Sequence, residues 1–237
     1  MCGKNVPKAD AGGAQMNTEL SKRAISEMIG TFALVFIGTG AIVVNDVTGG
    51  AISHLGIAVA FGLVVMTMIY AVGDVSGAHL NPAVSFAFWV ARRLPGRELV
   101  TYWVGQFSGA VLASLFLRVI FSAHEGLGVT KPAGGLSQSF VLEVVLTFFL
   151  MFVILGVATG AKEKGIMAGV AVGAMVCLGA LFGGPVSGAS LNPARSLAPA
   201  LVTGTLASLW LYLLAPCIGA WLAVGACRAV REPGCCR

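Results

Sequence analysis

The sequence predicts an all-α membrane protein with six transmembrane helices and two re-entrant half-helices arranged as an inverted repeat. Three observations support this fold class. The chain is 57% hydrophobic and only 11% charged, with a mean hydropathy of +0.89. Six of its segments are long and apolar enough to cross a membrane. One octapeptide occurs twice, as SGAHLNPA at 76–83 and as SGASLNPA at 187–194, with seven of its eight residues unchanged.

The composition excludes a water-soluble domain, because soluble proteins carry about 25% charged residues. Each candidate span is long enough as a helix to cross roughly 30 Å of hydrocarbon. We therefore expect one membrane domain over 24–228, between an amino-terminal tail at 1–23 and a carboxyl-terminal tail at 229–237. The six spans lie near 24–44, 54–73, 99–121, 138–160, 166–185 and 206–227.

Two further apolar segments are too short to span. NPAVSFAFWVA (81–91) and NPARSLAPALV (192–202) have eleven residues each, and a helix of that length reaches only about 16 Å, roughly half a bilayer. Both begin with Asn-Pro-Ala. Asparagine is a favoured N-cap and proline suits the first helical position, so each segment is predicted to be a half-helix. The two triplets are Asn81, Pro82 and Ala83, and Asn192, Pro193 and Ala194.

The repeat extends beyond the octapeptide. The first span contains EMIGTF (27–32) and the fourth contains EVVLTF (143–148). Repeat one, about 24–121, and repeat two, about 138–228, thus each hold three spans and one half-helix. Three spans is an odd number, so the second repeat must lie upside-down relative to the first, and the two half-helices are expected to meet near the membrane midplane.

The basic residues predict the orientation. Twelve of the fifteen lysines and arginines fall on one side of the predicted topology. By the positive-inside rule, both termini are cytoplasmic in a plasma or inner membrane, and the net charge of +5 requires no nucleic-acid partner. The twelve are Lys4, Lys8, Lys22, Arg23, Arg92, Arg93, Arg97, Lys162, Lys164, Arg228, Arg231 and Arg237.

The capped half-helices also suggest a function. Two helix amino termini facing each other concentrate positive charge at the midplane. If the Asn81 and Asn192 side-chain oxygens cap their helices, their amide hydrogens remain free to donate towards a lumen. Such a site admits water through its oxygen and opposes cations in a low-dielectric environment. These features predict a passive channel for neutral solutes.

The same motifs resemble those of the aquaporin (major intrinsic protein) family, most closely its nodulin-like intrinsic protein branch. The resemblance rests on residues 66–88, 148–160, 183–201 and 210–220, and it covers about 22–230. It implies one pore per subunit, a homotetramer in the lipid bilayer, and a selectivity filter on the extracellular side of the asparagines. The filter positions carried over are Phe61, Ala180, Ala189 and Arg195.

Within that resemblance, the filter departs from strict water channels, which carry a histidine where this chain has Ala180. Because Ala180 and Ala189 are both small, we expect a wider constriction that passes water with glycerol, urea, ammonia or metalloid hydroxides. Arg195, the only charge in its half-helix, is expected to repel cations and orient hydroxyl oxygens. Ser196 and Ala200 differ from the aspartate and the basic residue of dedicated glycerol channels, so the solute stays open.

Three polar residues within the repeats have two interpretations each. Glu27 and Glu143 either accept hydrogen bonds from the half-helix segments, as the family resemblance implies, or couple proton movement in a transporter. His79 either ties its loop together or acts as a pH gate. Matched placement of the glutamates in the two repeats favours the supporting role.

Two other functions compete with a channel. An ion- or proton-coupled secondary transporter is also built on inverted repeats, and a receptor or adhesion scaffold would keep the fold without conducting. The sequence favours neither, because it has one matched pair of glutamates and small filter residues. It contains no zinc spacing, nucleophile elbow or phosphate-binding loop, so we expect neither an enzyme nor a cofactor.

Overall fold

The computed structural model describes residues 13–158 and 166–231, and the regular secondary structure of this part of the chain is entirely helical, without strands. It contains eight α-helices joined by loops, the longest of which covers 121–135. In chain order they are α1 (Gly13–Val47), α2 (Ser53–Ser76), α3 (Pro82–Val90), α4 (Gly96–Ile120), α5 (Leu136–Ala158), α6 (Ala168–Ser187), α7 (Pro193–Thr203) and α8 (Leu209–Val230).

Six of these helices are long and apolar enough to cross a membrane, namely α1, α2, α4, α5, α6 and α8. This confirms the predicted all-α fold class. The first helix differs in length from its prediction, since it begins at Gly13, eleven residues before the predicted span. Lys4, Lys8, Lys162, Lys164 and Arg237, which contribute to the predicted orientation, lie outside the described residues, as do the outermost parts of both predicted tails.

The two short helices lie where the sequence predicts them. Helix α3 begins at Pro82 and α7 at Pro193, in each case directly after an asparagine in extended conformation. The Asn81 Oδ1 accepts from the Ala83 N–H at 2.9 Å, and the Asn192 Oδ1 accepts from the Ala194 N–H at 3.0 Å. Each asparagine thus caps its helix, while proline occupies the first turn, where a backbone N–H would have no helical acceptor.

Equivalent helices of the two repeats pack in the same way. Helix α1 lies against α4, and α5 against α8. At the first crossing, a side chain on Gly109 would collide with the Met28 carbonyl; at the second, one on Gly219 would collide with the Val144 carbonyl. Glycine allows backbone-to-backbone approach at both points. Repetition of these two crossings in the two halves accords with the predicted duplication.

Helices α2 and α6 form the seam between the repeats. They pack antiparallel, with Gly62 facing Gly173, so that a Cβ on either glycine would lie 2.6 Å from the carbonyl oxygen of the other. Both helices end at a left-handed glycine, Gly77 with φ +86° and Gly188 with φ +83°. The chain then enters the two loops that lead to α3 and α7, and these loops hold the candidate site.

Candidate functional site

Two strained loops with matching backbone conformations lead into the half-helices. In the first, Ala78 and Leu80 have φ of +47° and +51°; in the second, Ala189 and Leu191 have φ of +41° and +54°. A residue with a Cβ is disfavoured in the left-handed region by about 1 kcal/mol or more. The surrounding structure must therefore hold each loop in this conformation.

Two buried glutamates hold the loops. Glu27 accepts the backbone N–H groups of His79 at 2.9 Å and Leu80 at 2.7 Å. Glu143 accepts those of Ser190 and Leu191, both at 2.8 Å. Each carboxylate also accepts a serine hydroxyl, from Ser76 or Ser187, at 2.7 Å. Both glutamates are fully buried and lie behind the loops, away from the cavity described below.

The first glutamate has a fourth donor. The Gln106 Nε2 donates to Glu27 Oε2 at 2.8 Å and also lies 2.9 Å from the Ser85 hydroxyl. That hydroxyl in turn contacts His79 Nδ1 at 3.0 Å, and the His79 ring stacks on Phe88 with centroids 4.5 Å apart. His79 is thereby fixed by its backbone, its ring nitrogen and its ring face, while part of it lines the cavity.

Two tyrosines, which the sequence reasoning missed, clamp the ends of the seam helices. The Tyr102 hydroxyl donates to the Ser76 carbonyl at 2.5 Å, and the Tyr212 hydroxyl donates to the Ser187 carbonyl at 2.6 Å. A signal for them exists, because residues 102–113 and 212–223 share the pattern Y-x6-G-A-x-L-A. That pattern also contains Gly109 and Gly219, which mark the two backbone crossings.

The two asparagines reach across to the opposite loop. The Asn81 Nδ2 donates to the Leu191 carbonyl at 2.7 Å, and the Asn192 Nδ2 donates to the Leu80 carbonyl at 2.8 Å. The half-helices therefore meet, as predicted. The expectation that both amide hydrogens stay free is wrong, however, since each amide gives one hydrogen to this exchange. One hydrogen on each asparagine remains to donate into the cavity.

The side chain of Arg195 is almost completely buried beside an aromatic ring. Its Nη1 donates to the Gly128 carbonyl at 2.7 Å, and its guanidinium carbon lies 5.2 Å from the centroid of Phe61. Its Nε has no protein partner in the described part of the chain. Gly128 belongs to the segment between α4 and α5, and no motif in that segment pointed to it as a partner.

The two loops and Arg195 border one cavity of about 880 Å³, a volume that includes space open to solvent. The four carried-over filter residues line it, as do both asparagines and His79. Its other walls are mostly aliphatic, from residues such as Val65, Ile69, Leu150, Val172 and Val176. Pro82, Ala83, Pro193 and Ala194 are buried in the half-helices and are not among the lining residues.

The arrangement can offer a neutral molecule one amide hydrogen from each of Asn81 and Asn192 and guanidinium N–H groups of Arg195, along a path whose other walls are mostly aliphatic. All of these groups are donors, so a solute with accessible oxygen lone pairs is matched and a cation is opposed. Neither glutamate reaches the cavity, so no carboxylate of this pair is placed to carry a proton along it.

Comparisons with known proteins identify the family to which the chain belongs. The family model for the major intrinsic protein matches residues 15–226. A protein of Zea mays named aquaporin NIP1-1 is 48% identical over 221 residues, covering 92% of this chain and 78% of that protein. An Arabidopsis thaliana protein named putative aquaporin NIP4-1 is 47% identical over 201 residues, covering 84% and 71%.

A solved structure shares the fold. The X-ray structure of the aquaglyceroporin from Plasmodium falciparum superposes with a TM-score of 0.81 at 24% sequence identity, covering 89% of this chain and 96% of that one. At this identity the likeness concerns the arrangement of the helices.

Proposed function

The chain belongs to the major intrinsic protein family and is a passive membrane channel rather than an enzyme, and from this premise we propose that its cavity is a pore for water together with small neutral solutes. The solute class proposed is glycerol, urea, ammonia and undissociated metalloid hydroxides. One observation carries the proposal. Two of the four carried-over filter residues, Ala180 and Ala189, present only a methyl group to the cavity that Phe61 and Arg195 also line.

We assign cation exclusion to Arg195 and the asparagine pair. The guanidinium is held by the Gly128 carbonyl, which fixes its position but leaves its Nε facing no protein acceptor among the described residues. A fixed positive charge in a low-dielectric constriction raises the barrier for any cation. The α3 and α7 amino termini add partial positive charge at the level of Asn81 and Asn192.

The supporting residues keep the donors in place. Glu27 and Glu143 hold the two loops in their strained conformation, and His79 braces the first loop through Ser85 and Phe88. In this proposal none of the three moves a proton. The rigid exchange of hydrogen bonds between Asn81 and Leu191, and between Asn192 and Leu80, favours a fixed pore over alternating access.

The proposed assembly is a homotetramer with one pore per subunit and both termini in the cytoplasm. It is supported by the family assignment and by the distribution of basic residues in the sequence. Exposed apolar side chains on several helices give surface for lipid and for neighbouring subunits, for example Val104, Phe116, Leu178 and Trp221.

Stopped-flow swelling of proteoliposomes tests the proposed solute class. Water, glycerol, urea and arsenous acid are compared side by side, with empty liposomes as the control. We expect fast fluxes that neither saturate nor depend on a proton gradient. Saturating or gradient-dependent flux would contradict a passive pore, and water flux without any flux of the three solutes would contradict the wide filter.

Replacement of Arg195 tests cation exclusion separately. Arg195→Val removes the fixed charge and leaves the Gly128 carbonyl without its donor, so we expect a measurable proton or cation leak while glycerol flux persists. The leak is read from a pH-sensitive dye and a potential-sensitive dye in the same vesicles. If conductance stays at the level of the wild type, the asparagine pair and helix termini suffice without the arginine.

A further inference from the structure

A proline near the end of α6 leaves one backbone carbonyl without its usual helical donor. In an α-helix, the N–H of residue i+4 donates to the carbonyl of residue i. Pro185 lies inside α6 and has no N–H, so the Leu181 carbonyl loses that partner. Leu181 is exposed, so this carbonyl is open to a donor from a side chain or from water.

The missing donor comes from another helix. The Nε2 of His54, in the first turn of α2, lies 2.7 Å from the Leu181 oxygen. Because a carbonyl only accepts, this geometry requires the hydrogen on Nε2. The imidazolium would donate from the same atom, so the bond persists in both protonation states. It is therefore a fixed link between α2 and α6.

The ring of His54 is seated on Gly184. A Cβ at that position would lie 2.7 Å from the His54 Cε1, so any side chain there would displace the ring. His54, Leu181, Gly184 and Pro185 together form what we call the α2–α6 clasp. Gly62 meets Gly173 along the same antiparallel pair of helices, about two helical turns from His54 on α2.

The clasp lies next to two residues of the proposed filter. Phe61 follows His54 by seven residues, about two helical turns, on α2. Ala180 directly precedes Leu181 on α6, and both Phe61 and Ala180 line the cavity. The two helices that carry these walls are thus joined on one side by the Gly62–Gly173 contact and on the other by the clasp.

We propose that His54 is a positioning residue that fixes the distance between Phe61 and Ala180 and thereby sets the size limit of the pore. The inference rests on the proposed function, since it concerns how that pore discriminates solutes. The end of α6 is also held at Val186, by the Ala133 N–H, and at Ser187, by Tyr212 and Glu143. The clasp is the contact that joins α6 to α2 beside Ala180, so its loss frees the turn at Leu181, in which one helical hydrogen bond is missing. The constriction then varies in width, and discrimination between a three-carbon and a four-carbon polyol falls.

The experiment compares glycerol, erythritol and water fluxes in proteoliposomes of the wild type and His54→Ala. We expect the erythritol-to-glycerol permeability ratio to rise about threefold to tenfold, the change that one lost hydrogen bond of ordinary strength produces. Water permeability per channel should change by less than about twofold, because water is smaller than either form of the constriction.

Two further variants separate the proposed mechanism from general damage. His54→Gln keeps a side-chain N–H donor and should retain the ratio of the wild type. Combining His54→Ala with Pro185→Ala restores a backbone N–H at position 185, which can donate to the Leu181 carbonyl within the helix. The double variant should therefore recover most of the lost discrimination.

An unchanged erythritol-to-glycerol permeability ratio in His54→Ala would overturn the proposal. It would show that the size limit of the pore does not depend on the His54 side chain. Loss of discrimination that Pro185→Ala does not restore would overturn the role of the Leu181 carbonyl. Absence of solute flux in the wild type would instead overturn the proposed function, and this inference with it. The three failures are distinguishable in one set of measurements.

Discussion

At the scale of single residues, the two buried glutamates are stabilised inside the membrane domain by several hydrogen-bond donors each. A carboxylate without partners is costly there. Glu143 accepts three hydrogen bonds, two from the loop it supports and one from Ser187 at the end of α6, and Glu27 accepts four because Gln106 adds one. Position 216, which matches Gln106 in the repeated Y-x6-G-A-x-L-A pattern, is a proline and offers no donor.

Glu143→Gln should destabilise the protein. All three of its partners are donors, so the amide nitrogen would face at least one of them and leave it unpaired. Losing hydrogen bonds to a charged acceptor costs roughly 2–4 kcal/mol in the free energy of unfolding. The measurement is the thermal unfolding midpoint of the purified protein in detergent. Glu19→Gln is the control, since Glu19 is exposed and forms an ion pair with the exposed Lys22, with Nζ and Oε1 2.8 Å apart.

A midpoint unchanged from the wild type in Glu143→Gln would contradict this account. It would mean that the carboxyl group is already neutral and can be replaced by an amide without losing an acceptor.

Ala180 gives a second test at the residue scale. A histidine there would add a ring to the wall of the cavity that Phe61 also lines, so Ala180→His should reduce glycerol flux by about tenfold or more while water flux persists. Swelling in glycerol and in an impermeant osmolyte gives both fluxes from one preparation. Ala174→His is the matched control, because Ala174 lies on the exposed face of the same helix and does not line the cavity.

Glycerol flux that survives Ala180→His at the level of the wild type would remove Ala180 from the proposed filter. Equal loss in Ala174→His would indicate that the new ring damages the helix rather than narrowing the pore.

At the scale of helices, the helix boundaries marked by a capping residue were the ones most directly predictable from the sequence. The half-helices, predicted at 81–91 and 192–202, were found at Pro82–Val90 and Pro193–Thr203, because an asparagine cap followed by proline marks a helix start directly in the sequence. The start of α1 at Gly13 was missed, since polar residues extend that helix beyond its apolar part. The roles of Tyr102 and Tyr212 could have been predicted only by aligning the two repeats residue by residue.

The two backbone crossings allow a sharp test of helix packing. On α8, Gly219→Ala would place a methyl group against the Val144 carbonyl and the Phe148 nitrogen, whereas a Cβ on Gly225 would meet nothing within 4 Å. Overpacking costs roughly 1–3 kcal/mol, and alanine is favoured over glycine within a helix by about 1 kcal/mol. We expect Gly219→Ala to lower the unfolding midpoint and Gly225→Ala to leave it unchanged or raise it.

Equal effects of the two alanines would contradict close packing of α5 against α8. The same comparison on α4 uses Gly109, whose Cβ would collide with the Met28 carbonyl. The fold predicts that Gly109→Ala and Gly219→Ala destabilise to a similar degree, since they occupy matching crossings.

At the scale of the whole molecule, duplication explains why so much of the architecture was predictable. Two copies of one octapeptide, each after two spans and before a third, admit few arrangements other than an inverted pair. The site was less predictable than the fold. Arg195 depends on the Gly128 carbonyl, which lies in an irregular segment with no counterpart motif, and the asparagine amides depend on carbonyls of the opposite loop. Such partners follow from tertiary structure alone.

The inverted arrangement also makes a prediction about orientation. Helix α4 has 25 residues and separates Arg97, in its first turn, from Glu125, in the segment that follows its end. A helix of this length spans about 37 Å, enough to place its ends on opposite sides of a membrane. The basic residues near Arg97 assign that end to the cytoplasm, so the Gly128 segment and the filter should face outward.

Labelling of single introduced cysteines in intact cells tests this orientation. A membrane-impermeant maleimide should label Glu125→Cys above the level of the wild type before the cells are permeabilised. It should label Arg97→Cys only after permeabilisation. Both side chains are exposed, so the reagent can reach either position from its own side of the membrane. The reverse pattern would place Arg195 and Phe61 at the cytoplasmic mouth. Since the cation barrier depends on the fixed charge and not on its side, neutral flux would survive that reversal, whereas the proposed extracellular filter would not.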